Sequence, residues 1–213
     1  MSVLIPIFFS SFIIALSGAL MPGPLLTVTI SETSKRGFHA GPLIILGHGI
    51  IEMAVVTALL LGLAPFLKQD WAFVVISLAG GAVLLYLAVG MFRSIPKLTL
   101  SFEPDKKIRS KNHLVWTGIL MSAINPYWII WWATIGLNFI GHSRKYGYWG
   151  IAFFFSGHIL ADLVWYAFVS GAVSKGRHLL TDKRYRILIG VCAVFLVVFS
   201  VYFFYSGAQK LAT

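Results

Sequence analysis

Two short segments of this chain place a histidine and an acid one helical turn apart in otherwise apolar sequence: Gly47-His48-Gly49-Ile50-Ile51-Glu52 and Gly157-His158-Ile159-Leu160-Ala161-Asp162. On a helix, i to i+4 spacing puts imidazole and carboxylate on one face, where they can hydrogen-bond or share a proton. Within a membrane each acid costs about 2.5–3.5 kcal/mol at the centre of a helix, so it must face a cavity or a partner. The chemistry open to His48, Glu52, His158 and Asp162 is proton or cation coupling. The alternative is a divalent-cation carrier, since two imidazoles and two carboxylates suit zinc, cadmium or manganese. A third reading is two pairs that only hold helices together.

Backbone chemistry comes from two other places. Pro22-Gly23-Pro24 removes two amide donors around a glycine free to take unusual dihedrals, so a helix cannot run through it unbroken. Asn125-Pro126 is a weaker break of the same kind. Unpaired amides and carbonyls at membrane depth need protein, water or a ligand. The positive end of a following half-helix suits a carboxylate, and free carbonyls or Glu52 suit an ammonium or metal ion. Pro22, Gly23, Pro24, Asn125 and Pro126 are therefore the candidate substrate-binding residues, with a simple proline kink as the plainer reading of each break.

The elements that must position these groups are transmembrane helices. Of 213 residues 58% are hydrophobic and 11% charged, against about 25% charged in soluble domains, which excludes a soluble globular fold. The net charge of +10 falls between apolar blocks rather than in a stripe with interleaved aromatics, so nucleic acid is not an expected partner. One cysteine, Cys192, permits neither an intrachain disulfide nor a Cys-x-x-Cys redox or zinc motif, and no motif suggests an enzyme or a cofactor.

Crossing a bilayer takes about 20 apolar residues. Six blocks meet that length, at about 4–30, 42–66, 71–92, 113–138, 148–171 and 187–206. The first lacks a basic leader region and exceeds a signal-peptide core, so it is expected to remain in the protein. The Gly-His-x-x-x-acid copies lie 110 residues apart, in spans two and five, each after a proline-broken span. Two halves of three spans, about 4–92 and 113–206, flank a basic loop at about 93–112. An odd span count inverts the second half, as in many secondary transporters. The expected fold is thus all-α: one domain of six helices in two inverted repeats, with helices one and four broken.

Of the 17 Lys and Arg, 13 fall in loops one-two (Lys35, Arg36), three-four (Arg93, Lys97, Lys106, Lys107, Arg109, Lys111) and five-six (Lys175, Arg177, Lys183, Arg184, Arg186). Lys68, Arg144, Lys145 and Lys210 lie on the other side. The positive-inside rule then places both termini outside the cytoplasm, in a multi-pass cell membrane protein whose basic loop meets anionic headgroups. Trp128, Trp131 and Trp132 read as helix-interface or belt aromatics. Gly118 and Ser122, and Gly80-Gly81, read as close helix contacts.

Pro22-Gly23-Pro24, followed by Arg36-Gly37, Ala40-Gly41 and Gly47, with Asn125-Pro126 in span four, resembles the LysE/RhtB family of amino-acid exporters. The chain differs in having Leu25 where relatives often carry a polar residue, and in its two Gly-His-x-x-x-acid copies. The resemblance implies a small six-span carrier that expels an amino acid or related zwitterion on the proton gradient. The expected partners are then that small-molecule substrate, protons and membrane lipids, with a homo-oligomer left open.

Overall fold

A computed structural model describes residues 2–67, 69–99, 111–176 and 181–212. Of the residues in the charge count, Lys68, Lys106, Lys107, Arg109 and Arg177 lie outside these, as does the 100–110 part of the basic loop. The described chain is helical, with no strand. In order the α-helices are α1 (Leu4–Ala19), α2 (Pro24–Arg36), α3 (Ala40–Ala58), α4 (Ala64–Leu67), α5 (Asp70–Ser94), α6 (Lys111–Ala123), α7 (Pro126–Trp131), α8 (Leu137–Ser143), α9 (Gly147–Lys175) and α10 (Asp182–Leu211). A single π turn joins α3 to α4, and another joins α7 to α8.

Among the described residues, four stretches are long and apolar enough to cross a membrane: Ala40–Leu67, Asp70–Lys97, Tyr127–Lys175 and Asp182–Leu211. The pair α1 and α2, bent by 81° at its break, makes a fifth if counted as one span. Both proline sites end a helix, as expected; Pro22 lies in the first break, and Pro24 and Pro126 open the next helix, where a missing N–H is no loss. Gly37, at φ 80°, ends α2 in the left-handed region open to glycine.

The Tyr127–Lys175 stretch has 49 residues, about 74 Å if straight, more than twice the hydrocarbon thickness. It is not straight. Gly147 takes φ 66°, and the Phe139 and Phe154 rings stack at 5.9 Å, so the chain reverses around residues 144–147 and α8 lies back along α9.

Close backbone approach at small residues builds the interior, in two crossings of the same design. Between α3 and α6, a Cβ on Gly47 would overlap the Val115 carbonyl and one on Gly118 the Ile44 carbonyl. Between α9 and α1, a Cβ on Gly157 would overlap the Phe8 carbonyl, and the Ser11 hydroxyl donates to Phe154 O at 2.6 Å. Gly157 follows Gly47 and Phe154 follows Ile44 by 110 residues; Val115 follows Phe8 and Gly118 follows Ser11 by 107. The two crossings therefore match in sequence spacing, at the Gly-His motifs and at the residues packed against them. Long helices α5 and α10 pair with each other: Ser200 Oγ donates to Gly81 O at 2.8 Å, Arg186 Nε to Leu98 O at 2.8 Å at one end, and Lys210 meets Asp70 at 3.0 Å at the other.

Gly23 differs from expectation in one respect. Its φ of −159° and ψ of −168° are extended backbone, as favoured before a proline, and the nearest atom to an added Cβ is Met21 O at 4.0 Å. The break comes from the two prolines and not from unusual glycine dihedrals. Gly23→Ala should accordingly leave membrane insertion and thermal stability near wild type, within about 1 kcal/mol, as read by the melting of purified protein in detergent.

Candidate functional site

Glu52 on α3 is 1% exposed, and the structure gathers around it all four residues of the two motifs. Its Oε1 lies 3.1 Å from His48 Nε2, one turn earlier on α3, and 3.0 Å from His158 Nε2 on α9. Asp162 Oδ2 lies 3.6 Å from His158 Nε2 and 3.9 Å from His48 Nε2. The i to i+4 geometry read from sequence thus holds on both helices. Packing then adds what spacing alone does not give, since each histidine faces the acid of the other helix as well as its own.

Two tryptophans complete the surroundings of Glu52. Trp128 Nε1 and Trp132 Nε1, one turn apart on the α7 side, each donate to Oε1 at 3.1 Å. The sequence reading left them without a role, although i to i+4 spacing was a usable signal. An indole N–H is donor only, and two buried on one face need an acceptor opposite.

His48 is further oriented from behind. Ser122 Oγ donates to Gly118 O at 2.7 Å, which uses its one hydrogen, so in the 2.6 Å contact between His48 Nδ1 and Ser122 Oγ the imidazole is the donor. Nε2 of His48 then faces the two carboxylates, and that contact is attractive when Nε2 carries either a second proton or a cation. Among the described residues, Glu52 Oε2, Asp162 Oδ2 and His158 Nδ1 are buried without a hydrogen-bond partner. Two carboxylates and two neutral imidazoles sum to −2, so the centre reaches neutrality on taking up two protons or one divalent cation.

The helix turns that flank the two breaks, the last of α1 and the first of α7, meet beside this centre, while none of Pro22, Gly23, Pro24, Asn125 and Pro126 lines its cavity. Tyr127 OH donates to Ser17 O in the last turn of α1, and Trp131 Nε1 to Ser17 Oγ, each at 3.3 Å, docking α7 against the end of α1. A cavity of about 40 Å³ runs between Ala15 and Gly18 of α1, Tyr127, Trp128 and Trp131, and the four His and acid side chains. That is room for a few waters at most, so no amino-acid-sized molecule fits in this arrangement.

The two half-helix N-termini are not equivalent. Asn125 accepts from Tyr127 N at 3.2 Å and caps α7 with its own side chain. Gly23 precedes α2 and offers no side chain to its first amides. Asn125→Ala should cost about 1 kcal/mol, read as a lowered melting temperature, and Asn125→Asp, which keeps the acceptor, should restore it.

A larger apolar groove of about 690 Å³ lies outside α3 and α9, between side chains such as Leu46, Ile50, Met53 and Leu163. It offers a zwitterion no charge partner and reads as lipid-facing surface.

Residues 16–207 match the family described as LysE type translocator. The chain is also 26% identical over 206 residues to a Bacillus subtilis (strain 168) protein named "Putative amino acid efflux protein YcgF", covering 96% of this chain and 98% of that protein. No solved structure matches significantly.

Proposed function

The chain belongs to the LysE type translocator family, and we propose that it is a secondary exporter of an amino acid or similar zwitterion, driven by protons taken up at the His48, Glu52, His158 and Asp162 centre. The observation that carries this reading is the meeting of those four buried side chains around one small cavity, against the last turn of α1 and the first turn of α7. Uncapped amides at the start of α2 favour the substrate carboxylate. Glu52 and Asp162 are the groups able to exchange an ammonium for protons.

Six crossings follow on this reading: α1 with α2, α3, α5, α6 with α7 and α8, α9, and α10. The reversal at Gly147 and the repeated crossings at Gly47 and Gly157 support two inverted halves related by a pseudo-two-fold axis in the membrane plane. Alternating access would then part α3 from α9 around the centre. Arg93 in the last turn of α5, Lys97 just beyond it, Lys175 at the end of α9, and Arg184 and Arg186 at the start of α10 would face the cytoplasm, with both termini outside.

The test is efflux from proteoliposomes loaded with one labelled amino acid at a time. Acidifying the outside by one pH unit gives up to a tenfold proton gradient, and for one proton per substrate it should accelerate efflux of the true substrate several-fold. A protonophore should remove the acceleration. Equal rates with and without the gradient for every amino acid tried would refute proton coupling. Topology is tested separately on a Cys192→Ser background, with a cysteine placed at Lys97 or Lys210. Labelling of intact cells by an impermeant reagent at 210 and not at 97 is expected; the opposite pattern would overturn the orientation.

A further inference from the structure

We infer that the four-residue centre is also a binding site for one divalent transition-metal ion of the zinc class. This goes beyond proton-coupled export and stands without it, because it rests on ligand geometry alone. Nε2 of His48 and of His158 lie 3.0–3.9 Å from Glu52 Oε1 and Asp162 Oδ2. Those four edges bracket the separation of about 3.3 Å between neighbouring ligands of a tetrahedral ion with bonds of 2.0–2.1 Å. Small rotations of buried side chains would bring the set onto one ion. His48, Glu52 and Asp162 already offer one ligand atom each, all within 4.8 Å of one another.

Three features separate this site from a chance cluster of acids. Of the four ligand atoms, Asp162 Oδ2 is buried with no hydrogen-bond partner among the described residues, as a group short of a ligand is. His48 is held from behind in the tautomer that frees Nε2, by the Ser122 hydroxyl that itself donates to Gly118 O. That outer hydrogen bond is the usual orienting device of a metal-bound imidazole. Charge also closes, since two carboxylates match one divalent ion in a place where a net charge is costly. Two nitrogens and two oxygens favour Zn²⁺ or Co²⁺ over Ca²⁺ and Mg²⁺, which prefer all-oxygen sites of higher coordination.

The experiment titrates tag-free, detergent-purified protein with Co²⁺, then displaces it with Zn²⁺. One equivalent of Co²⁺ should produce the strong visible absorption of a four-coordinate ion, and Zn²⁺ should bleach it. His158→Gln should lower Co²⁺ affinity at least about 100-fold and Ser122→Ala about 10-fold, with Ser122→Ala leaving all four ligands in place should His158→Gln fold poorly. Absence of the band, or unchanged affinity in Ser122→Ala, would overturn the inference. Efflux measured under EDTA separates it from the proposed function. Gradient-driven efflux without Co²⁺ binding removes only the metal site, whereas Co²⁺ binding without gradient-driven efflux removes only proton coupling.

Discussion

Glu52→Gln keeps the protein in the membrane and lowers proton-driven efflux at least about 100-fold, the low end of what a positioned proton-transfer group contributes. Glutamine preserves the length of the side chain and an oxygen that can accept from Trp128 and Trp132, whose indoles donate to Oε1 at 3.1 Å. It removes the charge that both imidazoles face and brings an NH₂ that can only donate. Packing should therefore persist while proton uptake does not. Asp162→Asn should act in the same direction but more weakly, because Asp162 stands farther from both histidines, at 3.6 and 3.9 Å. Efflux from proteoliposomes with and without a pH gradient, normalised to reconstituted protein, is the measurement. Full gradient-driven efflux in both variants would leave the four residues as a structural clasp between α3 and α9.

The second large effect is on folding. Gly47→Val and Gly118→Val each force a branched side chain into a carbonyl of the facing helix, Val115 in one case and Ile44 in the other. A flexible neighbour could swing aside, but backbone on both sides leaves only separation of α3 from α6. Overpacking typically costs 1–3 kcal/mol and occasionally more; with backbone as the obstacle we expect about 3 kcal/mol or more, a large share of a typical domain's stability. Separation would also draw Ser122 away from His48. Gly90→Ala and Gly141→Ala, where nothing lies within 4 Å of the added carbon, are the controls and should behave as wild type. Gly49→Ala should be intermediate, since it meets only the end of the flexible Ile159 side chain. Size-exclusion profiles and melting temperatures in detergent read all five; a monodisperse Gly47→Val protein with wild-type melting would show that the crossing yields.

The helices and the reactive residues were legible because their signals are local. Long apolar runs, Pro-Gly-Pro, and a histidine one turn before an acid need no knowledge of what packs where. What stayed hidden was partnership. In helices apolar on every face, periodicity does not say which face meets protein, so the spacing of Trp128 and Trp132 could call for an acceptor without naming Glu52, and nothing marked Ser122 as the brace of His48. Asn125 was a mixed case. Its place before a proline was read as part of a substrate site, while the same Asn-Pro pair is a helix-start signal that the structure uses as a cap. The apolar blocks at about 113–138 and 148–171 leave a gap that contains the reversal, although the positive φ of Gly147 is not readable from composition.

The crossings at Gly47 and Gly157 join helices far apart in the order of synthesis. When α3 leaves the ribosome, α6 has not been made, and α1 must wait longer still for α9. During that interval the Ser11 hydroxyl and the carboxylate of Glu52 have neither their long-range partners nor water, and hydrocarbon satisfies neither. A nascent first half is thus committed to the bilayer before it can be stable there. Its survival depends on lingering at the insertion machinery, or beside lipid headgroups, until the second half arrives. Translation speed between α5 and α9 then becomes a determinant of yield, and slowing it should favour degradation over assembly even when every amino acid is unchanged.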